Sequence, residues 1–284
     1  MKLIFIADFF IEDIIGGGEL NNEEAILLLK ENNEVLKIRS HEVNVKFLEE
    51  NKDNKFIIAN FINLNKDCRE YLSKTCSYLV YEHDHKYLKS RNPAMYKNFI
   101  APKDEIVNYE FYKNAKAILS QSNFHKNIIE SNLKLGNIIS LSGNLWSLQT
   151  LEKIKKFSKK NKLDACSIMN STTPHKNVLG AVKYCESNNK PFKIIEPCAY
   201  YSFLDKLSDN NTFVFFPKTP ETLSRVVVEA RMMDMKVITN SLVGAAKEDW
   251  FKLKGTDLID KMCEKRSFIV KKIEDILYHD KYVK

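Results

Sequence analysis

"PETLSRVVVEARMMDMKVITN", residues 220–240, sets two glutamates, Glu221 and Glu229, around an apolar stripe. Leu223, Val226, Val227 and Ala230 fall at i, i+3, i+4 and i+7, and Met233 extends the row. That spacing predicts a helix packed on a sheet, and "KVITN" after it reads as a short strand. An acid at the mouth of a helix is ordinary, because carboxylates favour the positive end of the helix dipole. A second acid two turns along is not. One carboxylate near the mouth and one farther back suit a ligand with hydroxyls at both ends, since carboxylates accept hydrogen bonds from vicinal hydroxyls such as those of sugars and riboses.

Outward from this stretch the chain alternates strand-like and helix-like runs. "KLIFIAD" (2–8), "EVLKIRS" (34–40), "KFIIANF" (55–61) and "SYLVYEHDH" (77–85) read as strands, with helical runs such as "NNEEAILLLKENN" (21–33) between them. A second series holds "ACSIMNS" (165–171), "PFKIIEP" (191–197) and "TFVFFPK" (212–218). Such alternation predicts parallel βαβ units and doubly wound α/β sheets. Residues 151–163, "LEKIKKFSKKNKL", carry many lysines and no strand-like run, and are expected to be a linker. The expectation is two Rossmann-like domains facing a cleft. They span 1–150 and 164–256, the second being compact, with a helical tail over 257–284. Ligands of open α/β sheets sit at the carboxyl ends of strands.

Composition bounds the partners. The chain has 284 residues, 44% of them apolar, enough for a substantial core. Its 44 Lys and Arg against 37 acids give a net charge of +7, which favours anionic partners such as nucleotides, nucleic acid or acidic lipid. The six cysteines form no C-x-x-C pair, and are expected to be reduced packing residues of a cytoplasmic protein. The opening "MKLIFIADFF" is interrupted by Asp8 and does not read as a signal peptide. No apolar run approaches the ~18 residues of a membrane span.

Polar residues gather at the predicted strand ends. Gly16, Gly17 and Gly18 follow the first strand, where backbone can approach a phosphate or sugar closely. Asn21 stands where a third dinucleotide-site glycine belongs, so that fingerprint is not met. His83 and His85 flank Asp84 at the end of another strand; two ligands at i and i+2 with no third make a poor zinc site. Lys176 stands where a helix begins, behind Ser171, Thr172 and Thr173, against the helix dipole, and a bound anion would relieve that mismatch.

Taken together these stretches resemble the retaining GT-B glycosyltransferases of the family 4 type. "PETLSRVVVEA" is similar to that family's E-x7-E signature, "GGGEL" to its Gly-Gly-Ala-Glu, and "LVYEHD" to its strand ending in a histidine. "NAKAILSQSNFHKNII" and "IISLSGNLW" resemble its later segments, in the same order along the chain. The resemblance implies roles residue by residue. Glu229 would bind the ribose of a nucleotide-sugar donor, Glu221 hydroxyls of the transferred sugar, and Lys176 the diphosphate. His83 would lie at the reacting face of the sugar, Gly17 and Gly18 would line the cleft, and Ser171, Thr222 and Leu223 would border the donor. Two departures stand out: Ser171 occupies the family's arginine position, and Thr222-Leu223-Ser224 replaces its Gly-Phe-Gly.

The implied activity is retaining transfer of a sugar from a nucleotide diphosphate to an acceptor hydroxyl. No protein-bound metal is expected if cations and helix dipoles stabilise the leaving diphosphate. For the acceptor, the charge and the tyrosine- and lysine-containing "EHDHKYLKSRNPAMYKNF" lean toward DNA bearing a hydroxylated base. Lys86, Lys89 and Arg91, or Lys153, Lys155 and Lys156, would hold its phosphates. The alternatives are a glycan or lipid-linked acceptor, with peripheral membrane contact, a nucleotide-sugar epimerase, or a non-catalytic nucleotide-sugar or nucleic-acid binding protein.

Overall fold

The protein is described here by a computed structural model, which covers residues 2–279. The chain divides into two compact units. The first runs to Leu145 and resumes at Arg266; the second is Trp146–Lys265.

The first unit contains β1 (Leu3–Ala7), α1 (Gly17–Leu29), β2 (Val35–Arg39), α2 (Val45–Glu50), β3 (Lys55–Ile58) and α3 (Lys66–Thr75). It continues through β4 (Ser77–Tyr81), α4 (Tyr109–Lys113), β5 (Ile118–Ser120), α5 (Asn123–Leu133) and β6 (Ile138–Ser140). Its strands form one parallel sheet in the order β2-β1-β3-β4-β5-β6. Strands buried on both faces read as continuous apolar runs, and every residue of β1 is buried. Ile4, Phe56, Tyr78 and Val80 pack with Leu72 and Phe111 in one core cluster, while Leu3, Phe5, Leu79 and Leu119 pack with Ile26 in another.

The second unit holds α6 (Leu148–Ser158), β7 (Leu163–Met169), α7 (Val178–Ser187), β8 (Phe192–Ile195) and α8 (Tyr200–Leu207). After these come β9 (Asn210–Phe215), α9 (Arg225–Met232) and β10 (Lys236–Thr239), in a parallel sheet ordered β10-β9-β7-β8. The predicted helix–strand pair of the opening stretch is α9 and β10. Leu223, Val227, Ala230 and Met233 are fully buried on that stripe, and Val228 and Met232 are buried as well. No helix among the described residues is long and apolar enough to cross a membrane. None of the six cysteines is disulfide-bonded, and Cys198 and Cys263 are exposed.

Two boundaries differ from expectation. Residues 151–163 are not a linker, because most of the run belongs to α6, a helix of the second unit capped by Ser147, whose side chain accepts the Thr150 N–H. Leu151 and Ile154, spaced i and i+3 among the lysines, bury that helix in the core beside Leu204 and Val227. The tail is α10 (Gly255–Tyr278), a helix as expected, but it divides. Leu258, Ile259 and Met262 pack in the second unit, while Ile269, Ile273, Ile276 and Leu277 complete the first unit's core. Residues 280–284 of the expected tail lie outside the described residues.

Candidate functional site

In the second unit the polar residues converge because β7 and β9 are neighbours in a parallel sheet, so the segments leaving their carboxyl ends emerge side by side. Lys176 ends a 3-10 turn, Pro174–Lys176, after β7. Glu221 lies between β9 and α9. Across 45 residues of sequence separation the Lys176 ammonium meets the Glu221 carboxylate at 2.7 Å. Both side chains retain contact with solvent, 31% and 15% exposed. Backbone bonds hold the Glu221 segment: its N–H donates to the Leu242 carbonyl at 2.8 Å, and its carbonyl accepts from Gly244 at 2.9 Å. Asn177 and Asn240 donate side-chain bonds to the Phe216 and Pro217 carbonyls, tying the segments after β7 and β10 to the one after β9.

Glu229 occupies the second turn of α9 and is 2% exposed. Its Oε1 accepts from the Trp146 indole at 2.9 Å and the Tyr200 hydroxyl at 2.6 Å. Arg225, one turn earlier, brings its Nε to 3.6 Å from the same oxygen and stacks its guanidinium over the Trp146 ring at 4.3 Å. Burial, and then the Glu229 charge, push the Tyr200 hydroxyl well above the phenol range, so it serves as a donor. Trp146, Tyr200 and Arg225 are absent from the sequence reading. Only Arg225, at i−4 from Glu229 on a predicted helix, carried a local signal.

The residues bordering this region divide. Ser171 lies in the segment after β7, where its hydroxyl accepts the Thr173 N–H at 3.1 Å. Thr222 is half-buried beside Glu221. Leu223 does not face a ligand: its side chain is fully buried in the core, because it begins the apolar stripe of α9. Ser224, in the position of the family's second glycine, has φ +73°, a left-handed conformation disfavoured for residues with a Cβ.

In the first unit the glycine run is not a turn. Gly16 is the extended N-cap of α1, and Gly17 and Gly18 form its first turn. A Cβ added at Gly18 would touch the His83 ring at an ordinary 3.8 Å, so that contact places the start of α1 against His83. His83 follows β4, lies tilted against the Tyr81 ring at 4.6 Å, and has both ring nitrogens engaged. Its Nε2 meets the Asn22 side-chain oxygen at 2.6 Å, and its Nδ1 meets the Gln121 amide nitrogen. His85 turns elsewhere, to the Tyr87 hydroxyl at 3.0 Å and to the edge of His125, so the two histidines share no face.

Of the two sets of cations assigned to a nucleic-acid contact, Lys155 and Lys156 are exposed on α6 and Lys153 lies over the Tyr201 ring, while the other three are otherwise occupied. Lys86 is fully buried, bonded to the Glu82 carboxylate, which also accepts from Tyr112, and it lies over the Phe61 ring. It cannot reach a phosphate; four residues after Glu82, it is positioned to neutralise that buried acid. Arg91 is exposed but bonded to Asp84, and Lys89 lies 3.9 Å from Glu105. A cavity of about 650 Å³ lies on the flank of the first unit between α3 and α4, beside Arg69, Ser73 and Tyr109, and none of the candidate residues lines it.

No family model matches the sequence, and no curated protein matches it. The structure is similar to that of Anabaena Alr3699/HepE in complex with UDP and glucose, with 12% identity and a TM-score of 0.55, over 98% of this chain and 92% of that one. It is also similar to sucrose-phosphate synthase from Thermosynechococcus elongatus, with 9% identity and a TM-score of 0.61, over 97% and 98% of the two chains. The fold is GT-B. Two parallel α/β sheets with these helices are the architecture of glycosyltransferases of that class, and at these identities the likeness is one of fold.

Proposed function

We propose that the protein is a glycosyltransferase that takes a sugar from a nucleotide diphosphate donor, with retention, to an acceptor hydroxyl. The observation that carries this reading is the arrangement at the start of α9 on a GT-B fold. A solvent-reaching Lys176–Glu221 pair stands at the helix mouth, and a buried, oriented Glu229 stands behind it. In this reading Lys176 turns to the diphosphate, Glu221 then accepts from hydroxyls of the sugar, and Glu229 accepts from the ribose. Lys176 and the α9 N-terminus supply positive charge to the leaving diphosphate, so that the protein need not itself hold a metal. The Alr3699/HepE complexes contain UDP, and UDP-glucose in another crystal, so uridine nucleotides are the first probes.

For the acceptor, the geometry favours a hydroxyl of a glycan or lipid-linked saccharide over a base in DNA. Burial of Lys86 and the pairing of Arg91 with Asp84 remove one of the two sets of cations on which the DNA reading depended, leaving only the lysines of α6. Duplex binding needs several free cations, each neutralised phosphate adding a slope of about −0.9 to the salt dependence.

The test is a thermal-shift panel of nucleotide sugars followed by NMR of the sugar released from the donor that stabilises most. A retaining transferase stabilises with one nucleotide class and releases sugar of unchanged anomeric configuration. Binding without release would mark a binding protein, and isomerised donor an epimerase.

A further inference from the structure

His125 is a buried histidine for which the glycosyltransferase reading has no role. It is the third residue of α5, fully buried, with its own N–H donated to the Ser122 hydroxyl at 3.1 Å. Its ring spans two segments at the carboxyl edge of the first unit's sheet. The Gln121 backbone N–H points to Nδ1 at 3.4 Å, and Nε2 meets the Asp84 carbonyl at 2.9 Å. A backbone N–H only donates and a carbonyl only accepts, so the ring is the neutral tautomer with its proton on Nε2. Asp84 adjoins His83, and Gln121 supplies the amide that meets His83 Nδ1. With the Asn22 amide presenting its oxygen and the Gln121 amide its nitrogen, His83 is the Nε2–H tautomer, donating to Asn22 and accepting from Gln121.

We propose that His125 is a positioning residue: its ring clamps the segment carrying His83 to the segment carrying Gln121, and so sets the plane and tautomer of His83 beside Gly18. The proposal rests on the glycosyltransferase reading only for its consequence in catalysis. The surroundings enforce the neutral ring. Burial drives the His125 imidazole well below its ordinary range, and the Lys86 ammonium pushes in the same direction, against the Asp84 carbonyl, while the His85 ring packs edge-on at 5.0 Å. Protonating Nδ1 would set N–H against N–H at Gln121, opening the clamp.

The experiment uses the full chain, isotopically labelled, with imidazole 15N spectra and kinetics of UDP-glucose hydrolysis on wild type, His125→Gln and His125→Ala. Gln is chosen because its amide can still donate to the Asp84 carbonyl. The wild type should show both His83 and His125 as Nε2–H rings. His125→Ala should shift the His83 ring signals and lower kcat tenfold or more, with UDP affinity within twofold, and His125→Gln should recover most of both. If His125→Ala does not fold, a His125→Gln protein whose His83 signals match wild type while its kcat stays within twofold still supports the clamp. Unmoved His83 signals in His125→Ala would overturn the proposal, as would a His125 ring protonated on Nδ1. A wild type that neither binds UDP nor hydrolyses UDP-glucose would refute the glycosyltransferase reading instead, and the spectra would still decide on the clamp.

Discussion

The two units solve the same topological problem with opposite outcomes. Each is a parallel sheet whose strands deliver polar residues to their carboxyl ends. In the first unit these residues close on one another: Glu82 with Lys86 and Tyr112, His83 with Asn22 and Gln121, and His125 with Asp84. In the second, Lys176 and Glu221 meet while still in contact with water, and only Glu229 is sequestered. A polar group in a low-dielectric interior is worth much when fully paired and costs much when not. The first constellation therefore holds its own side chains in fixed orientations, whereas the second can exchange its partner for a ligand.

The largest expected effect separates the two ion pairs. Lys86→Ala leaves Glu82 buried without its cation and should destabilise the fold by about 3–5 kcal/mol in urea titration. Lys176→Ala removes a half-exposed pair and should cost about 0–1 kcal/mol while lowering nucleotide-sugar affinity. Equal costs for the two variants would erase the contrast.

Acid should find the first unit before the second. Burial lowers the His85 imidazole to about 4, and His125 is lowered as well, so the folded state keeps both neutral. Below the unfolded value near 6.5 the unfolded chain takes up protons that the folded chain refuses. Stability is thus full above that pH and falls as pH drops toward 4, by about 3 kcal/mol for His85 at ~1.4 kcal/mol per unit. Hydrogen exchange at pH 7 and pH 5 should show protection lost around α5 and the end of β4 while α9 and β9 change less.

The smallest effect lies at α9. Ser224→Gly relieves a left-handed residue and should stabilise by about 1 kcal/mol, raising the melting temperature by a few degrees. A lower melting temperature would mean that the serine contributes more than its backbone costs.

How far the sequence carried the account follows the same division. The α9 stripe and its two acids were legible because helical periodicity and local spacing define them. The alternation of elements likewise predicted both sheets. Lys86 misled because a lysine in a tyrosine-rich loop looks solvated, and only the tertiary fold places Glu82, Tyr112 and Phe61 around it. Leu151 and Ile154 were hidden in a lysine run whose charges occupy the other faces of α6. The partners of Glu229 come from 83 and 29 residues away, a separation no spacing rule spans.

The central claim, that the second unit holds a nucleotide through an oriented Glu229, is tested most directly by calorimetric titration of UDP into wild type and Glu229→Gln. The amide keeps an oxygen for Trp146 and Tyr200 but presents N–H where a carboxylate oxygen would accept from ribose. The account predicts an unchanged melting temperature and UDP affinity weakened at least tenfold, the loss of one charge-assisted hydrogen bond of about 1.5–3 kcal/mol. Equal affinity in the two proteins would contradict it.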